Sequence, residues 1–141
     1  GGVLHLIKLS VGPKDVAELR AIQAGRARSD PPLRHRTRMM PRRAAEITAG
    51  GSIYWVVAGF VQVRQRVVEI REEAWEDGSP CAALVLDPAL VPVAARPVKP
   101  FQGWRYLAAE AAPPDAVETA ARGTEALPEA MRRELRALGL L

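Results

Sequence analysis

Cysteine is nearly missing from these 141 residues. Cys81 stands alone, which excludes an internal disulfide and suits a reducing cytoplasm. No apolar run approaches the roughly 20 residues that a helical membrane span needs. The opening segment VLHLIKLSV is too short and wrongly flanked for a signal peptide. The expected location is therefore the cytoplasm, with no membrane partner. Zinc-ligand types are scarce: His5, His35 and Cys81 match no zinc spacing, so neither a metal nor a cofactor is expected. Cys81 opens an apolar stretch and reads as a small core side chain. The signatures GxSxG, GxGxxG and GxxxxGKS/T are all lacking, so no motif names a reaction. Lysine is limited to Lys8, Lys14 and Lys99.

What the chain does have is arginine in one place. The net charge is +4, yet residues 26 to 43 hold seven arginines (26, 28, 34, 36, 38, 42 and 43) against the single acid Asp30. That segment carries +6 and the rest of the chain −2. A local cluster of this kind attracts a polyanion more than a diffuse basic balance does. The plain alternative is a solvated arginine-rich loop and strand edge.

The length fits one domain, 1–141, with a helical C-terminal extension over about 108–141. Residues 3–11 have a strand's apolar density. Pro13 then opens a helix to about Ala24, with Val16, Leu19 and Ile22 on one face and Gly25 as its stop. LRHRTRM, 33–39, reads as a strand with Leu33, His35, Thr37 and Met39 on one side and Arg34, Arg36 and Arg38 on the other. PRRAAEITA is a short helix ended by Gly50-Gly51. Strands follow at 52–57, 60–71 and 81–87, joined by turns at Ala58-Gly59 and Asp77-Gly78, as an antiparallel meander. Pro128 starts a last helix with Met131, Leu135 and Leu138 on one face.

The stretch GGSIYWVVAGFVQVRQRVVEI, residues 50–70, places Gln62, Arg64, Gln65 and Arg66 inside a strand. Val63, Gln65 and Val67 share one face and Gln62, Arg64 and Arg66 the outer one. Beyond Val67 the apolar positions move to Val68 and Ile70. Such a flip predicts a bulge or bend. Gln65 is then a buried amide in need of partners.

The same stretch resembles the core of PUA-like and ASCH-like domains over about residues 33–87. Together with TRMMPRRAAEI, CAALVLDP and FQGWRYL, the chain also looks like a family of small bacterial proteins catalogued as a domain of unknown function. The PUA-like resemblance implies an α+β fold: a bent antiparallel sheet closing into a small pseudo-barrel with two or three flanking helices. It also implies a cleft for RNA, DNA or a modified nucleobase. Some ASCH-like relatives are hydrolases using a lysine and a glutamate; here no lysine falls in the hairpin or the arginine strand.

The leading expectation is nucleic-acid or nucleotide binding, RNA first. The candidate residues are Arg34, Arg36, Arg38, Arg42, Arg43, Tyr54, Arg64, Arg66, Gln102, Trp104 and Arg105. Guanidinium forks suit phosphate oxygens and guanine edges, and rings beside arginines suit base stacking. Against this, the FQGWRYL rings would simply cover one end of the sheet. The first alternative is a small hydrolase acting on a modified nucleoside, with Glu69 or Glu46 beside Thr37 and Gln65 in a cleft. The second is a protein-interaction module or homodimer built on the last helix.

Overall fold

The computed structural model describes residues 2–116 and residue 138. Its elements run β1 (Leu4–Leu9), α1 (Val16–Ser29), β2 (Arg34–Thr37), α2 (Ala44–Thr48), β3 (Ser52–Val57), β4 (Phe60–Ala74), β5 (Pro80–Leu86), β6 (Val91–Pro97) and β7 (Trp104–Ala108). A 3-10 turn follows at Ala109–Ala111. The helix expected from Pro128, and the extension beyond residue 116, lie outside the described residues.

The seven strands form one mixed sheet in the order β2-β5-β4-β3-β1-β7, with β6 paired to β4. The expected meander is present: β4 is antiparallel to both β3 and β5. The expectation of a wholly antiparallel sheet fails at β1, which pairs parallel to β3. Between those two strands the chain passes through α1, β2 and α2, and a crossover of that length returns it in the same direction. The expected barrel is also corrected. The loop after β2 reaches β7, where Trp104 Nε1 donates to the Met39 carbonyl at 3.1 Å. No ladder joins β2 to β7, so the sheet is strongly curled but open.

The curl comes from β4. Opposite Trp55 and Val56 the strand offers Val63 and Val61, which leaves Gln62 as an extra residue. A second extra residue, Val68, sits between Val67 and Glu69 opposite β5. The sequence pattern predicts the second bulge. The first one it does not reveal, and it sends Val61 to the opposite face from Val63. Two bulges in one strand of 15 residues let it serve β3 and β6 with its first half and β5 with its second.

Two apolar clusters result. The inner one gathers Leu4, Leu6, Ile53, Trp55, Val63, Val67, Leu84 and Leu86 from four strands, with Val16 and Leu19 of α1 and Ile47 of α2 packed on it. The outer one, with Ile7, Tyr54, Val56, Val61 and Val93, is flanked by Val98, Phe101, Leu107 and Ala112.

Helix α1 departs from its expected bounds. It starts at Val16 because the Asp15 side chain caps it, accepting from the Glu18 N–H at 2.8 Å. It runs through Gly25 to Ser29. Its buried face is Val16, Leu19 and Gln23, not Ile22. Gln23 is drawn in by Gln65, whose side chain is 0% exposed. The two amides exchange hydrogen bonds of 3.0 and 2.7 Å; Gln65 Oε1 also accepts from Trp55 Nε1 at 3.1 Å, and Gln65 Nε2 donates to the Asp87 carbonyl at 2.9 Å. Every polar site of the Gln65 amide is thereby used, as a buried amide requires.

Two outcomes test this packing. Gln65→Leu strands the Gln23 amide and the Trp55 indole N–H, and should lower unfolding free energy by about 2–4 kcal/mol in urea titrations. The glycines give opposite results. A Cβ at Gly51 would overlap the Leu4 carbonyl oxygen and lie 2.6 Å from that of Ile47. Gly51→Ala should therefore cost roughly 3 kcal/mol or more. Gly25, with nothing within 4 Å of its Cβ position and a place inside α1, should gain about 0.5–1 kcal/mol as alanine.

Candidate nucleic-acid interface

The arginines of β2 do share a face, as alternation demands, but they meet a carboxylate there. Arg34 Nε and Arg36 Nε reach Glu73 on β4 at 2.9 and 3.0 Å, and Arg71 Nε joins them at 3.0 Å. The strand between them, β5, makes this crossing easy: Ala83 lies opposite both Arg36 and Arg71, and a methyl group leaves room for long side chains to pass over it. Burial pushes the Glu73 carboxyl up, but the hydrogen bonds of Arg34 and Arg71, the charge of Arg34 and the bond from Arg36 outweigh it, and the net direction is down. Arg34 is further tied to Asp30, by its side chain at 3.3 Å and its carbonyl at 3.1 Å, and to the Pro32 carbonyl at 3.0 Å.

Arg38 leaves this row. β2 ends at Thr37, and Arg38 and Met39 turn outward, Met39 to 66% exposure. Arg42 is exposed as well. Arg43 forms a paired contact with Glu46 at 2.6 and 2.7 Å. Its N–H donates to Tyr106 Oη at 3.2 Å, and its guanidinium carbon lies 5.7 Å from the Tyr106 ring centre. Trp104 and Tyr106 meet edge to face at 5.0 Å. The early basic segment and the late aromatic strand therefore share one surface, joined through the loop 38–43 and not through the face of β2. Arg105 points to the other side, with its guanidinium carbon 4.5 Å from the centre of the Phe101 ring; Gln102 is exposed in the turn before β7.

Three candidates have structural employment elsewhere. Tyr54 is 4% exposed and packs edge to face on His5 at 5.0 Å, so it offers no ring face to a base. Arg64, expected on an open outer face, grips Asp115 with bonds of 2.7 and 2.9 Å and donates to Ser52 Oγ at 3.1 Å. Arg66 donates to the carbonyls of Thr48 at 3.1 Å and Gly51 at 3.2 Å, closing the end of α2. The polar middle of β4 thus secures the segments around it. Sequence reasoning missed the partners Glu73 and Asp115, because nothing local links them to their arginines 37 or 51 residues away.

Neither carboxylate weighed for hydrolysis is buried. Glu46 is engaged by Arg43, Glu69 is exposed, and Gln65 is sealed inside. Among the described residues no group of three His, Cys, Asp or Glu side chains could hold a metal. His5 Nδ1 accepts from the Ser52 N–H at 3.0 Å, and Cys81 is buried. No helix among the described residues is long and apolar enough to cross a membrane.

The side chain of His35 packs edge to face on Trp55 at 5.3 Å. Its Nε2 is buried without a partner among the described residues. Burial, with the positive charges of Lys8 and Arg26, pulls its pKa from 6.5 to about 4.

What fold and surface define together is an open, curled α+β sheet protein with a basic, aromatic margin. Residues 6–141 match a family model described as a protein of unknown function, DUF1489, and the chain belongs to that family. Comparison with the curated proteins finds no match, and comparison with the solved structures finds none either. No comparison links the chain to PUA-like domains, and its open mixed sheet departs from the pseudo-barrel which that resemblance implies.

The His35 environment sets a pH dependence. The unfolded imidazole takes a proton below about pH 6.5, whereas the folded one stays neutral down to about 4. The unfolded state binds more protons in that window, so this part of the stability is complete above about 6.5 and is lost as pH falls towards 4. The expected loss is on the order of 2–3 kcal/mol. Chemical denaturation at a series of pH values should show it, and His35→Leu should flatten the curve in the same window.

Proposed function

We propose that this protein binds single-stranded nucleic acid, RNA first, on the surface made by residues 38–43 and β7. The observation that supports the reading most directly is the docking of the arginine-bearing loop onto the two rings of β7: Trp104 on Met39 at 3.1 Å and Tyr106 on Arg43 at 3.2 Å. Arg38 and Arg42 are exposed there and make no ion pair among the described residues. Tyr106 is 37% exposed, enough to present part of its ring. Guanidiniums free to meet phosphates, next to a ring held at a fixed angle, are the parts that sequence-tolerant binding of single strands uses. Gln102 adds a neutral donor and acceptor close by in the chain. Arg34 and Arg36 supply field more than contact, since Glu73 holds their Nε groups.

Fluorescence anisotropy with a short labelled single-stranded RNA tests the reading. Affinity should fall steeply between about 50 and about 200 mM salt. Arg38→Ala with Arg42→Ala should weaken binding about tenfold or more at low salt and lower the salt slope by about 2. Tyr106→Leu should cost about 1–3 kcal/mol of binding with the slope unchanged. Equal affinity of the double variant and the parent at low salt would defeat the proposal.

A further inference from the structure

A second feature lies away from this surface. A cleft of about 470 Å³ opens between the end of α1 and β2, lined by Arg26, Ser29, Asp30, Arg34, His35 and Arg36. Its volume is within the range of small-ligand sites. Its charge is out of balance. Arg26, Arg34, Arg36 and the adjoining Arg71 bring four positive charges; Asp30 and Glu73 bring two negative ones. The acids engage the cations unevenly. Glu73 binds Arg36 and Arg71 through Nε only, so the terminal nitrogens of Arg36 have no acceptor among the described residues. Arg26 is exposed and makes no ion pair among those residues. The C-terminal end of α1 contributes a partial negative charge of about one half, which leaves most of the excess standing. Ser29 offers a hydroxyl, and His35 forms a wall that is uncharged near neutral pH.

We propose that this cleft binds the dianionic phosphate of a phosphomonoester, with the terminal nitrogens of Arg36 and the guanidinium of Arg26 as its principal donors. The excess of two positive charges matches the charge of about −1.5 to −2 that such a group carries near neutral pH. A planar guanidinium donates two parallel hydrogen bonds to phosphate oxygens, which a lysine in the same place would not do. Arg34 acts differently: its terminal nitrogens are spent on Asp30 and Pro32, so it fixes the rim of the cleft and lends its charge. The inference does not depend on the nucleic-acid reading, because Arg38, Arg42 and Tyr106, which make the contacts there, lie outside the cleft.

The test is isothermal titration calorimetry of the whole chain at about 150 mM salt, where attraction between exposed charges farther apart than about 8 Å is largely screened and direct contacts are not. Inorganic phosphate, AMP and adenosine are the three probes. Phosphate or AMP should bind saturably with one site and Kd of about 1 mM or tighter, and adenosine should not bind. AMP at least about tenfold tighter than phosphate assigns the cleft to a nucleotide; equal affinities assign it to free phosphate or a simple monoester. Arg26→Ala, an exposed change that leaves the core untouched, should weaken binding about tenfold, and Arg36→Ala by at least as much. The double change at Arg38 and Arg42 should leave it unaltered. Absence of saturable phosphate and AMP binding up to about 10 mM would overturn the proposal, as would unchanged affinity in both cleft variants.

Discussion

The packing of this protein turns on a pair of amides. Gln65 lies at the centre of β4 with none of its surface in water, and Gln23 reaches it from α1. A buried amide left unpaired would cost more than an ordinary hydrogen bond returns, so the pair fixes the rotation of α1 as well as its distance from the sheet. Trp55 and the carbonyl of Asp87 complete the set. Through these contacts one side chain of β4 holds the first helix, the neighbouring strand and the turn between β5 and β6 in a single arrangement. Apolar contact alone would allow α1 to slide; hydrogen-bond geometry does not.

The neighbours of Gln65 extend the same logic to the other face. Arg64 holds Asp115, which brings the chain after β7 back beside Val93. Arg66 occupies carbonyls at the end of α2. A strand that pairs with three others would ordinarily be apolar on both sides. This one instead uses its middle to anchor segments far away in sequence, and its bulges are what allow donors and apolar groups to alternate irregularly along it.

Much of the local structure is legible in the chain. The three-strand meander, the Ala58-Gly59 and Asp77-Gly78 turns, the second bulge of β4 and the need of Gln65 for partners all follow from spacing and residue type. What escapes has a physical cause in each case. Gly25 is a reasonable helix stop by propensity, but Asp15 at one end and Gln23 in the middle secure α1 well enough to carry the helix past it. β6 contains Pro92 and Pro97, which suppress a strand pattern although an edge position tolerates them. The closed sheet expected from resemblance is absent because closure needs a ladder between β2 and β7, a relation that no local window contains. For the site, the row of β2 arginines is real as far as Arg36, yet its meaning depends on Glu73, and its link to the aromatics runs through backbone groups of Met39 and Arg43. Composition shows the charge; only the fold shows which charges are already spent.

The unpaired seam has a consequence for motion. Where the loop after β2 meets β7, two hydrogen bonds and ring contacts stand in for a ladder. Separating them breaks no strand pairing, so the loop after β2 can lift away while β7 stays laddered to β1 and the amide-tied centre stays shut. Amide protons of the loop after β2 should then exchange with solvent far sooner than those of β3 and β4, which lie between paired strands, giving the molecule one breathing border around a stationary interior.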